Sequence, residues 1–231
     1  RLPSWIAVLT IGSSFVMTIL SFQDGVQRTA IVSEGGTQLL MINAFSRVFE
    51  LIFFGALTLA AFACMNRLDV KGVGAKLSTD ELYNNRRQGD FYILMITCAL
   101  GMSIVALAQD LFVLFIGLEL ASFSTYVLVA FFKESKAGTE AGMKYFIVGS
   151  VASAVGIYGM SLLYLWSGDL SLDALSSKWM ESETIDPIAG IAVGLMLVAF
   201  GFKVGAAPFH LAAPDAYSGA SSPVAGLLAT A

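Results

Sequence analysis

Apolar residues in this chain neither alternate with polar ones nor recur as a narrow helical stripe; they form long runs divided by polar connections. The runs cover 4–22, 44–65, 91–108, 111–132 and 143–166, a sixth from 187 to about 213 is interrupted, and a further one starts near 223. An α-helix rises about 1.5 Å per residue and the hydrocarbon layer is about 30 Å thick, so about twenty apolar residues cross it once. The pattern predicts an all-α integral membrane protein, a polytopic helix bundle, since a helix satisfies its own backbone polar groups in lipid. The short alternating segments of an outer-membrane barrel are not what these runs show. The first run places Trp5 where an interfacial aromatic belongs, and it lacks the small-residue cleavage pattern of a signal peptide.

The connections add detail. Within 23–43, which carries Gly25, Gly35 and Gly36, the pieces TAIV and TQLLMI are predicted to pair as a short surface hairpin. Only Gln109 and Asp110 separate the third and fourth runs, which predicts a tight antiparallel helix pair. The fifth run is dense in small residues, among them Gly149, Ala152, Ser153, Gly156 and Gly159, and these let helix backbones approach closely. The segment 66–90 reads as the longest polar connection, and 168–186 as an acidic one with Asp169, Asp173, Glu181, Glu183 and Asp186 against Lys178.

Composition agrees with the class. Of 231 residues 57% are hydrophobic and 13% charged, with a mean hydropathy of +0.77; an ordinary soluble domain is excluded, and no basic patch points to nucleic acid. Cys64 and Cys98 sit inside apolar runs and read as small core residues. Counted by side, 66–90 and 133–140 hold seven Lys and Arg against two in the other internal connections. The positive-inside rule places those two in the cytoplasm and the acidic connection outside. Arg1 stands where a methionine would, and Ala231 falls inside a new apolar run, so the chain is expected to be a fragment of a longer one.

Against this background a few residues stand in the wrong solvent. Glu119 lies within the fourth run, about 12 Å from its start, where an ionised side chain costs at least about 2.5 kcal/mol and usually pairs, faces the protein interior and marks an ion pathway. The competing reading is a protonated glutamic acid acting as a structural donor. In the sixth run Lys203, Pro208 and His210 fall within eight residues. Pro208 lacks an N–H and crowds the carbonyl of Val204, so the helix is expected to break between Lys203 and His210 and to expose both to a water-filled half-channel. Lys203 can alternatively snorkel to the interface, His210 can be a satisfied core or interface histidine, and Lys144 and the pair Arg47 and Glu50 read as interfacial. Lys144 starts near the cytoplasmic end, whereas Glu119 sits about 20 Å below that end, so Lys203 or a water chain is the expected closer link, with Lys144 as a modulating charge. There is no glycine-rich nucleotide loop, cysteine cluster or histidine pair.

The stretches LFIGLELASFSTYVLVAFF, EAGMKYFIVGSVASAVGIYGMSLLY and FKVGAAPFHLAAPDAYSGASSPV resemble the proton-translocating antiporter-like N subunits of respiratory complex I and their F420H2 dehydrogenase relatives, over roughly 91–231. The resemblance implies that Glu119 is the family's carboxylate on transmembrane helix five, Lys144 the helix-six lysine, Lys203 the lysine of the broken helix seven and His210 part of a PFH-x-x-x-PD segment. The chain departs from the family pattern at Ala212 and at Ala220-Ser221-Ser222-Pro223. Further implied are the first of two inverted repeats with a discontinuous helix, and redox-driven proton translocation in a prokaryotic cell membrane with no cofactor in this chain. NADH or F420H2, flavin, iron–sulfur clusters and quinone would belong to other membrane and peripheral subunits of the assembly. A subunit of an Mrp-type multi-subunit cation/proton antiporter is the alternative, and a non-conducting membrane scaffold a second. The wording GLELASFS around Glu119 and KYFIVGS after Met143 is closer to the N subunit.

Overall fold

The computed structural model describes residues 2–21, 28–32, 36–65, 79–132, 135–182 and 184–230. Its elements run α1 (Leu2–Ser21), β1 (Arg28–Val32), β2 (Gln38–Ile42), α2 (Ala44–Met65), α3 (Thr79–Leu107), α4 (Leu111–Val129), α5 (Lys136–Ser167), α6 (Leu172–Glu181), α7 (Pro187–Lys203), a 3-10 turn (Phe209–Ala212), α8 (Ala213–Gly219) and α9 (Ser222–Thr230). Among the described residues four segments are long and apolar enough to cross a membrane, Ala44–Cys64, Gln88–Leu107, Leu111–Val129 and Lys136–Ser167; Trp5–Ser21 and Pro187–Lys203 are apolar but shorter. The polytopic helical bundle read from the apolar runs is therefore the observed fold, with β1 and β2 forming the expected antiparallel hairpin, Arg28 opposite Ile42 and Val32 opposite Gln38. The hairpin lies over the α3–α4 turn, where the Gln109 N–H donates to the Leu39 carbonyl at 2.9 Å.

Helix starts differ from the apolar boundaries where a polar cap precedes the lipid-length part. The 66–90 connection is shorter than expected because α3 begins at Thr79 and takes in its last twelve residues. That stretch contains no proline, and polar residues that lipid rejects are still good helix formers; Arg67, Lys71 and Lys76 lie outside the described residues. Likewise α5 starts at Lys136, not near 143, because the Ser135 hydroxyl caps it by accepting from the Gly138 N–H at 3.1 Å. Glu140 and Lys144 are thus one turn apart on one helix. The acidic connection holds its own amphipathic helix, α6, capped by Ser171. Asp110 caps α4 through the N–H groups of Phe112 and Val113, and Asp186 with Pro187 in the first turn starts α7.

Packing follows the small residues. Lipid offers no hydrophobic drive for helix association, so close van der Waals approach has to supply it. A Cβ built on Gly156 of α5 would lie 2.6 Å from the Ala199 Cβ of α7, so only glycine permits that crossing. Leu57, Ala61, Phe91, Met95, Cys98 and Leu227 form one apolar core across α2, α3 and α9. Phe115, Met160, Leu163, Ala192 and Met196 form another across α4, α5 and α7. Large apolar side chains such as Leu59, Phe62, Leu165 and Leu197 point outward, as a lipid-facing surface requires.

The break in the sixth run is where it was expected, but Pro208 is not what stops the helix. The last regular i→i−4 bond runs from the Val204 N–H to the Phe200 carbonyl; then Gly205 donates to Phe202 and Ala206 to Gly201. These two bonds, with Gly205 at φ 63°, form a Schellman cap, which needs a residue in the left-handed region and therefore a glycine. Pro208, three residues on, prevents α7 from resuming along its axis, and the chain continues as the 3-10 turn.

Candidate functional site

On α4 the helical spacing puts Glu119, Ser122 and Tyr126 on one face. Lys203, the last residue of α7, meets that face: its Nζ donates to Glu119 Oε1 at 2.8 Å and to the Ser122 hydroxyl at 2.7 Å, and it lies 5.9 Å from the Tyr126 ring centre. The Ser153 hydroxyl of α5 donates to the same Glu119 oxygen at 2.7 Å. Three helices thus converge on one ion pair whose side chains are 14% and 18% exposed. The cation also stands at the negative end of the α7 dipole, where a positive charge is favoured. Removing one partner of such a pair typically costs about 3–5 kcal/mol because the other is left buried and uncompensated.

Where α7 stops, the chain opens a cavity of about 350 Å³ whose lining includes Tyr145, Lys203, Gly205, Phe209 and Tyr217. At about 30 Å³ of liquid volume per water it has room for several. The Lys203 ammonium and the residues Tyr145 and Tyr217 make it a polar pocket next to the ion pair. Tyr145, on the cavity wall, packs edge to face on Tyr126 with ring centres 4.6 Å apart.

The structure does not bring every candidate together. Lys144 sits nine residues before Ser153 on α5, about 13 Å along the axis, beyond the ~6 Å reach of a lysine. Its Nζ is instead held by Glu140 at 2.7 Å and by Asp215 of α8 at 3.0 Å. His210 is exposed on the 3-10 turn and is absent from the lining of the cavity beside Lys203. Arg47, read as interfacial, is only 7% exposed, and Glu50, one turn on, accepts from the Ser103 hydroxyl of α3 at 2.7 Å. Of the groups not foreseen, Ser122 was readable from its three-residue spacing to Glu119. Ser153 and Asp215 became visible only once α5 packed on α4 and α8 on α5. Among the described residues no three His, Cys, Asp or Glu side chains gather to hold a metal ion.

The transmembrane family described as NADH:quinone oxidoreductase/Mrp antiporter matches residues 108–231. The chain is 37% identical over 190 residues to NADH-quinone oxidoreductase subunit N 2 of Syntrophobacter fumaroxidans, covering 82% of this chain and 37% of that protein. It is 34% identical over 231 residues to subunit N of Erythrobacter litoralis, covering 100% of this chain and 44% of the relative. The chain therefore spans less than half the length of these relatives. Among solved structures, respiratory complex I from Thermus thermophilus with bound aureothin matches with a TM-score of 0.74 at 25% identity, covering 99% of this chain and 46% of that one. The Mrp complex from Dietzia matches in fold, with a TM-score of 0.77 at 19% identity over 98% of this chain and 40% of that one.

Proposed function

Since the chain belongs to the NADH:quinone oxidoreductase/Mrp antiporter transmembrane family, we propose that it is part of a proton-translocating membrane subunit of a redox-driven quinone oxidoreductase complex, with the Glu119–Lys203 pair as its proton relay. The observation that carries this reading is the ion pair itself: two opposite charges 2.8 Å apart within apolar helices, one of them lining a polar cavity at a helix break. When a charge or conformational change draws the Lys203 ammonium away, the Glu119 carboxylate, still held by Ser153, accepts a proton from a hydronium arriving through the cavity, leaving water. Return of the ammonium releases the proton. The two groups act as one coupled unit. Lys144, held by Glu140 and Asp215, supplies a fixed charge nearer the break, where it modulates entry.

In this reading the electrons belong to other subunits, which would carry flavin and iron–sulfur clusters and react with NADH or F420H2 and a quinone. Relatives named subunit N of NADH-quinone oxidoreductases favour this over the Mrp-type antiporter, which the fold match to the Dietzia complex keeps as the second reading. Glu119→Gln in the assembled complex tests the first: shape and hydrogen bonding persist while the titratable charge is gone. Proton pumping in proteoliposomes should fall about tenfold or more with subunit assembly intact; pumping at the wild-type rate would show that Glu119 is structural. Donor-independent Na⁺/H⁺ exchange by the same vesicles would favour the antiporter reading.

A further inference from the structure

Hydroxyl side chains inside apolar helices usually satisfy themselves by donating to a carbonyl of their own helix. Across α1 to α5 this is the rule among the described residues: Thr10 donates to Ile6, Thr58 to Phe54, Thr97 to Ile93, Ser122 to Leu118 and Ser124 to Leu120. In the same helices the hydroxyls of Ser153 and Ser103 instead donate across to another helix, and both end on a glutamate. One is Ser153 on Glu119, the other Ser103 on Glu50, each at 2.7 Å. Each glutamate also has a cation on its face of the bundle. For Glu119 it is Lys203; for Glu50 it is Arg47, one turn earlier on α2 and 7% exposed.

Arg47 is unusual in its own right. It lies in the second turn of α2, where the helix dipole opposes a cation, and the N-terminal backbone there is already capped by Asn43 and Ser46, which exchange hydrogen bonds at 2.7 and 3.0 Å. Its buried Nε has no hydrogen-bond partner. A buried arginine beside a glutamate in an apolar bundle is costly as a mere brace, since well-packed apolar residues of similar volume often serve as well or better. The arrangement also argues against a metal cation at Glu50, which would have to sit next to a permanent positive charge. What the pair can exchange is a proton.

Depth and position relate the two carboxylates. Glu50 lies six residues into α2, about 9 Å, and Glu119 eight residues into α4, about 12 Å, measured from the same end of the bundle. Between them α3 and α4 touch at Gly101 and Gly117, where the Gly101 Cβ position falls 2.5 Å from the Ala121 backbone nitrogen. Glu50 therefore stands across that contact, nearer the end closed by the β1–β2 hairpin.

We propose that Glu50, bonded by Ser103 and facing Arg47, is a second proton-exchanging site of this chain, serving the aqueous phase at the Asp110 end. A hydronium in that phase transfers its proton to a Glu50 oxygen, forming the O–H bond and leaving water. The Ser103 hydroxyl then turns to accept from the new acid or to donate to its own helix, and the reverse step returns the proton. The site rests on the reading of the chain as a proton-translocating subunit, and it lies outside the Glu119–Lys203 relay.

The test uses the assembled complex in proteoliposomes with Glu50→Gln, Ser103→Ala, the double variant Arg47→Met/Glu50→Leu and, as a reference, Glu119→Gln. Pumping should fall about tenfold or more in Glu50→Gln and stay low in the double variant, which removes both charges yet carries no proton acceptor. Ser103→Ala should give a smaller loss. Wild-type pumping in Glu50→Gln overturns the proposal, and so does wild-type pumping restored by the double variant, since only charge balance would then matter. If Glu50→Gln fails to assemble, the double variant decides by the same two outcomes. If Glu119→Gln alone pumps normally while the Glu50 variants do not, the relay reading fails and the Glu50 site stands.

Discussion

Replacing Lys203 by methionine keeps most of the side-chain volume and removes the charge that balances Glu119. At 2.8 Å the direct attraction is about 6 kcal/mol at an effective dielectric near 20. Desolvation of each ion offsets several kcal/mol of that, and both side chains keep some exposure, 14% and 18%. The net coupling should therefore be about 2–3 kcal/mol. We predict that Lys203→Met destabilises the subunit by about 3 kcal/mol, because the carboxylate and the Ser122 oxygen lose their donor together. Glu119→Gln should cost less, since glutamine still accepts from Ser153 and Lys203 stands next to the cavity. The double variant Lys203→Met/Glu119→Gln should then be more stable than the sum of the single losses by that coupling. The assay is a double-mutant cycle on thermal unfolding of the detergent-solubilised complex, following this subunit. Single losses that add to within about 0.5 kcal/mol would refute the claim that the two groups form one energetic unit.

Gly205→Ala should destabilise by about 1–2 kcal/mol, since a Cβ is forced into the left-handed region at φ 63°, whereas Pro208→Ala should change thermal stability much less because the cap already ends α7; equal losses would return the break to the proline. Ser153→Ala removes one hydrogen bond to a charged acceptor and should cost about 1.5–3 kcal/mol and slow pumping, while Ser153→Thr should keep both close to wild type, measured on the same vesicles.

The membrane class and the charged residues within the apolar runs were legible from one line of sequence, because hydropathy and helical rise alone decide which segments can sit in lipid, whereas the short helices α6 and α8 were not. Glu119, Lys203 and the region of the break could be named on those grounds, and the hairpin from the glycines and apolar pieces of its own segment. The helix starts were less legible: α3 and α5 begin in polar sequence, where hydropathy marks entry into lipid and capping hydrogen bonds mark the helix. The cause of the break was misread for a related reason. Proline is conspicuous in a sequence, but the Gly205 cap depends on two backbone hydrogen bonds that exist only in the folded turn. Lys203 was already the expected closer link to Glu119, but that it makes direct contact rather than acting through a water chain was decided by packing, since Gly156 lets α7 close on α5 and so delivers Lys203 to α4, while Lys144 is left about 13 Å away along its own helix. The same holds for Arg47 and Glu50. Sequence placed them near an interface, where long side chains reach water; only the approach of α3, which brings Ser103 across, turned them into a buried polar site, because contacts between distant segments depend on tertiary distances that no local pattern encodes.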